Sequence, residues 1–297
     1  MIKNSLKKRI TIILLSLFLL LIFYLIPNQN IKESKQYENN FNNVYLLNNN
    51  LLIQTKDVSH SNDTIEKAKE IINSLKENSK IATNNNLKAL LPKDTKILDI
   101  SYIDNIIKIN FSNDFYNTTN EEKLIEALIY SLTELDNVDG IMIFIEGNEL
   151  LELPHSKKIL PSLLTRDYGI NKIYDITTLN NINEIRLYYY TELNNDYKIT
   201  PVTLFSNDSK DKIEIIIKNL KSGLSYQSDL VSFLNYNAEL LDYEIEENKV
   251  KLNFSNALLS SFYSDKLTEE VKYAISSSIK ETLNIDQIDI FIEGNNI

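Results

Sequence analysis

Cysteine is absent from this chain of 297 residues. That excludes disulfides, thiol nucleophiles, cysteine metal sites and a lipid-modified N-terminal cysteine. Glycine and proline are scarce, at 5 each, and there are 2 histidines, His60 and His155. The chain has no phosphate-cradling Gly-rich loop, no G-x-S-x-G and no H-E-x-x-H. Both histidines fall in predicted loops without a partner at ligand spacing, so neither a metal site nor a His-based triad is expected. Arginine is also thin: beyond residue 26 it occurs only at Arg166 and Arg186.

What is present describes a globular protein. Hydrophobic residues make up 43% and charged residues 24% of the chain, enough for one large or two small domains with a real core. Asparagine, isoleucine, lysine and leucine dominate, a bias consistent with an AT-rich genome. The formal net charge is −10. Four basic and no acidic residues lie in 1–26, which leaves 27 basic against 41 acidic residues, or −14, for the remainder. Such a surface repels nucleic acid, whose phosphates need basic patches.

The first segment differs from the rest. Lys3, Lys7, Lys8 and Arg9 precede an uncharged run from Ile10 to Ile26, closed by Pro27. As a helix the run spans roughly 25 Å, the short end of a bilayer crossing. No A-x-A-like cleavage site follows it, and the basic flank belongs in the cytoplasm. The expectation is an uncleaved single-pass anchor with everything after Pro27 outside; a cleaved secretory signal is the competing reading. Residues 28–43 are polar and aperiodic, as in a stalk.

Two short words recur in order. Ile109-Asn110-Phe111-Ser112 and Ile145-Glu146-Gly147-Asn148 are followed by Leu252-Asn253-Phe254-Ser255 and Ile292-Glu293-Gly294-Asn295. The first word repeats at an offset of 143, together with Ile97-Leu98-Asp99 over Leu240-Leu241-Asp242, and the second at 147. Three ordered matches with the same hydrophobic pattern between them indicate a tandem duplication.

Each copy reads as mixed α and β. In the first, apolar runs at Val44–Leu47 and Leu51–Ile53 precede a helix that opens on Asp63-Thr-Ile-Glu66 and carries Ile65, Ala68, Ile72 and Leu75. A hairpin over 96–111 turns at Asp104-Asn105. Leu124, Leu128, Leu132 and Leu135 then repeat at helical spacing, and Ile141, Ile143 and Ile145 alternate as a strand. The second copy follows suit, with strands at 185–190, 198–205, 240–245, 249–254 and 288–292. Its helices are striped by Ile213, Ile216, Ile217 and Leu220, closed by Gly223, and by Val271, Ile275 and Ile279. The fold class expected is α+β: two tandem two-layer α/β sandwiches of β(β)αββαβ order, with the N-terminal transmembrane helix. The connection 151–183 is too apolar for a free linker and is expected to pack in part between the copies.

No catalytic, cofactor or metal residues are assigned. Glu146 and Glu293 suit a duplicated strand-end turn better than a paired-carboxylate site, which needs a shared cleft. A buried carboxylate pair between the domains would revive the enzyme reading. Asn110 and Asn253 are expected to bond to nearby backbone. Tyr188, Tyr189 and Tyr190 pack as core and edge on one reading and form the candidate interaction surface on the other, since tyrosine is enriched at interfaces.

The segment from Leu91-Pro92 through the hairpin to Phe111-Ser112 resembles the GerMN domain of sporulation and germination proteins. So do the helix Ala127–Glu134, the strand Val138–Gly147 and the connecting stretch Leu160–Asn171. Ile199-Thr200-Pro201-Val202-Thr203 matches the second strand, which is degraded at Leu52–Thr55. Asn235 stands where the first copy has Pro92. The resemblance implies GerMN-like domains at 44–150 and 184–297, after the flank and anchor (1–27) and the stalk (28–43). It further implies a non-enzymatic envelope protein of spore-forming bacteria, without cofactor. Its partners would be other envelope or sporulation-complex proteins, and the membrane through residues 10–26; self-association is left open. Localisation would be the cell membrane, with both domains extracytoplasmic. The alternative is a binding module for a cell-wall glycan or small ligand.

Overall fold

A computed structural model describes residues 41–223, 229–259 and 268–296. The expected anchor at 10–26 and most of the 28–43 stalk lie outside the described residues. Among the described residues no helix is long and apolar enough to cross a membrane. From Phe41 onward the chain is one compact unit.

The first copy opens with a hairpin, β1 (Phe41–Asn48) and β2 (Leu51–Val58). The stalk expectation is corrected at its end, because β1 begins at Phe41. Asn42 is buried and donates to Glu70, and Asn43 donates to Glu134. These polar residues thus serve strand positions. Helix α1 (Thr64–Ser74) follows, with the Asp63 carboxylate accepting from the N–H of Glu66. A short α2 (Lys80–Asn84) leads to β3 (Ile97–Ile103) and β4 (Ile106–Phe111), joined by Asp104 and Asn105 at φ 51° and 63°. That is the two-residue turn whose twist suits a hairpin. Next come α3 (Glu121–Leu132), β5 (Gly140–Ile145) and a stub β6 (Asn148–Glu149). The helix stops three residues short of Leu135.

After β7 (Ile173–Asp175), the second copy repeats this order. It runs β8 (Asn183–Leu193), β9 (Asp196–Ser206), α4 (Lys212–Ser222), β10 (Leu240–Glu246), β11 (Lys249–Phe254), α5 (Glu269–Leu283), β12 (Gln287–Ile292) and β13 (Asn295–Asn296). Gly223 caps α4 at φ 65°.

Each copy holds two sheets. In the first, the β1-β2 hairpin stands apart from the sheet β3-β4-β5-β6; in the second, β7-β9-β8 stands apart from β10-β11-β12-β13. In both four-stranded sheets the central pair is parallel, joined through α3 or α5. The expected single sheet under one-sided helices is therefore divided. Helix α3 shows why: 10 of its 12 residues are buried, so it needs cover on more than one side. Both α1 and α3 touch β1 as well as the larger sheet. Leu46, Ile53, Ile71, Leu124, Leu128, Ile109 and Ile143 fill the space between.

Asparagine supplies much of the conformational freedom that scarce glycine does not. Of fifteen described non-glycine residues with positive φ, ten are asparagine, including Asn49, Asn105, Asn194 and Asn195 at hairpin turns. Its short polar side chain tolerates the left-handed region better than other L-residues.

Candidate functional site

The two recurring words meet in space. In the first copy the Asn110 carboxamide accepts from the Gly147 N–H (2.9 Å), and the Glu146 carboxylate accepts from the Asn113 N–H (3.0 Å). In the second, Asn253 accepts from Gly294 (3.0 Å) and Glu293 from Asn256 (3.3 Å). Glu146 and Gly147 sit at φ 48° and 81°, Glu293 and Gly294 at 49° and 79°. Each word therefore satisfies a backbone N–H of the other or of the residue that follows it. This assigns Glu146 and Glu293 to turns, as expected, and gives both asparagines a backbone partner that is distant in sequence.

The copies are joined through equivalent residues. Strand β2 packs beside β9, its own counterpart, the arrangement of a two-fold dimer contact built within one chain. The Asn171 side chain lies between them. It accepts from Leu52 N–H (2.8 Å) and donates to the carbonyls of Leu52 (2.7 Å) and Pro201 (2.9 Å). Nearby, Arg166 reaches both copies. Its guanidinium pairs with Glu134 of the first (2.5 Å) and with Glu281 of the second. Glu134 and Glu281 are equivalent at the offset of 147, and Tyr45 and Tyr188 at 143. Tyr45 donates to Glu134 (3.0 Å), Tyr188 accepts from Arg166 (3.4 Å), and Ser131 and Ser278 accept from the N–H groups of Tyr45 and Tyr188.

Burial by itself would lower the Arg166 guanidinium, but Tyr188, Glu281, Tyr45 and Glu134 outweigh it and hold it well above its ordinary value. Burial, then the Glu134 charge, pushes the Tyr45 phenol up; burial, then Glu281, does the same for Tyr188. The cleft here, about 550 Å³, does contain a carboxylate pair between the domains. Arg166 bonds one oxygen of each member, and the other Glu281 oxygen is buried without a hydrogen-bond partner. Among the described residues no cluster of His, Asp or Glu is arranged to hold a metal. His155 is exposed and contacts the Tyr116 carbonyl through Nε2.

The candidate surface of Tyr188, Tyr189 and Tyr190 is corrected. The three are 3%, 1% and 6% exposed. Their rings alternate, as a strand requires. Tyr188 packs edge-on against Tyr273 of α5, Tyr189 donates to the Asn219 carbonyl of α4, and Tyr190 donates to the Glu270 carbonyl of α5. Two helices cover the strand's two faces, so the triplet is core.

Exposed character lies elsewhere. On the outer face of the first four-stranded sheet, Ile103 pairs with Ile106, and Lys108 with Met142. The same positions of the second copy hold Glu246, Lys249, Lys251 and Asp289. There Lys251 bonds Glu244 and Glu246, and Lys249 bonds Asp289. Around a lysine present in both copies, one fold thus carries Ile103, Ile106 and Met142 once and ion-paired side chains once. A second feature is a groove of about 540 Å³ beside the joint, between β2 and the β9–α5 wall.

The sequence placed part of the connection 151–183 between the copies, where Arg166 and Asn171 lie, but did not single out these residues or their partners. The available signals were the equivalence of Glu134 with Glu281 and the placing of Arg166 between the copies.

Comparison with known proteins bears on both copies. A family model described as Germane, sporulation and spore germination, matches residues 43–151 and 186–297. The Bacillus subtilis (strain 168) "Spore germination protein GerM" is 28% identical over 255 residues, covering 83% of this chain and 68% of the relative. The solved tandem GerMN domains of the B. subtilis sporulation protein GerM match with a TM-score of 0.76 at 22% identity, covering 86% of this chain and 92% of that one. At that identity the structural match speaks for the tandem fold alone.

Proposed function

The chain belongs to the Germane family of sporulation and spore germination proteins, and from that membership we propose that it serves spore formation as a membrane-anchored extracytoplasmic scaffold. It acts by protein–protein contact, without catalysis, as a component of an envelope complex. The membrane contact is assigned to residues 10–26.

The observation that supports contact over chemistry is the difference between the two outer sheet faces. The second copy demonstrates that this fold accepts Glu246, Lys249 and Asp289 there. Ile103, Ile106 and Met142 are therefore not demanded by folding. An apolar patch that the fold does not require marks a contact surface, and Ile103 is 53% exposed. The strand beneath it, β3, is also the open edge of its sheet, which a partner strand can extend.

A photo-crosslinking residue placed at 103 or at 246 tests this in sporulating cells. The expected result is a defined protein adduct from position 103 and none from 246. Absence of an adduct at 103, or normal spore formation and germination after deletion of the gene, would overturn the proposal.

A further inference from the structure

We propose that the groove between the copies binds a neutral glycan chain, a site independent of the protein-contact face. Its walls come from both copies: Gln54, Thr55 and Lys56 on one side, Tyr197, Ile199 and Tyr273 on the other. Neither copy alone possesses it.

Three observations point to sugar. First, the tyrosines are presented differently from the buried triplet. Tyr197 and Tyr273 are 43% and 38% exposed, and each is held edge-on by a second aromatic ring, Phe233 or Tyr188. Such fixed, half-open rings offer flat apolar platforms at little entropic cost. The C–H faces of pyranose rings match them.

Second, the floor is polar backbone. Leu52 turns its N–H and C=O away from β1, and Gln54 and Lys56 share that orientation by strand alternation. No strand pairs with β2 on this side, nor with β9 opposite at Tyr197–Ile199. These groups suit hydroxyls and acetamido groups.

Third, the charges balance. Lys56 and Lys198 share the lining with Glu269 and Glu270, and Lys198 is also paired with Asp196. A polyanion would meet the glutamates, and a polycation the lysines. An inserted peptide strand is disfavoured as well. One carboxamide, that of Asn171, already spans the gap at Leu52 and Pro201. That leaves less than the roughly 4.8 Å a strand needs on each side. A ligand therefore lies over the gap, against the tyrosines. The groove volume accommodates a few sugar rings, within the range of small-ligand sites.

The test is calorimetric titration of the purified full chain with N-acetylchitohexaose and with cellohexaose. Saturable binding of either is expected, with preference for the first if acetamido groups reach the backbone floor. Tyr197→Ala and Tyr273→Ala should each weaken it about tenfold or more, while Tyr197→Phe, which keeps the ring, should bind as the parent does. Circular dichroism and urea midpoints confirm that each variant is folded. Failure of both oligosaccharides to bind, or undiminished binding by the folded alanine variants, would overturn the site. Neither result touches the crosslink from position 103, so the two proposals fail separately.

Discussion

At the scale of single residues, Arg166 carries more of the account than any other side chain. It is one cation set between two carboxylates from different copies. Removing it leaves Glu134 and Glu281 facing each other without a counter-charge. Arg166→Met should cost about 2–4 kcal/mol, at or below the range for breaking a buried pair because the group remains partly solvated. Adding Glu134→Gln and Glu281→Gln to that variant should recover part of the loss. Urea unfolding of the set measures this, and simple additivity of the losses would deny the coupling.

The buried tyrosines make a second residue-scale prediction. Burial, followed by neighbouring carboxylate charge, raises Tyr45 and Tyr188 well above the ordinary phenol value. Folding thus holds them protonated. Their contribution is complete below pH ~10, the unfolded value, and is lost as pH climbs through the raised folded values. Ultraviolet difference absorbance should show part of the tyrosine titration delayed until it coincides with unfolding by circular dichroism. Early, complete titration with the fold intact would contradict this.

At the scale of elements, the sequence was informative where a pattern is local. Hairpins, capped helices and the order of the main elements follow from alternation, helical stripes and turn residues, although β1 starts inside the expected stalk, α3 ends early, and α2 and β7 were not foreseen. Two further things were not legible. The sheet of each copy is split, because periodicity reports a buried face and not which strands share it. The Tyr188–Tyr190 strand is covered on both sides by α4 and α5, which composition cannot distinguish from an exposed aromatic edge. The recurring words were visible as words, but not their bond to each other, because Asn110 and Gly147 lie 37 residues apart. That bond predicts matched effects. Asn110→Ala and Asn253→Ala should each destabilise by about 0.5–1.5 kcal/mol through loss of this hydrogen bond, the exposed N–H being taken over by water, with amide exchange quickening at Gly147 and Gly294. Faster exchange in neither turn would sink the reading.

On the scale of the whole molecule, duplication supplies an internal control. Both copies share core, turns and helix contacts, so differences between them separate what folding requires from what it does not. Equivalent residues, Tyr45 with Tyr188 and Glu134 with Glu281, are consumed at the joint, and Asn171 fills the seam between equivalent strands. This makes one body with unequal faces. The sequence displayed the repeat but not this inequality of surfaces, since Ile103 and Met142 read as ordinary strand residues until their counterparts are located.

The most direct measurement follows from that control. The triple variant Ile103→Glu, Ile106→Lys, Met142→Asp gives the first copy the face that the second already carries. Expressed from the native locus and scored for heat-resistant spores, it should keep parental unfolding and protein levels yet form spores poorly. Normal spore yield from a stably folded variant would contradict the account, because the apolar face would then have no partner to lose.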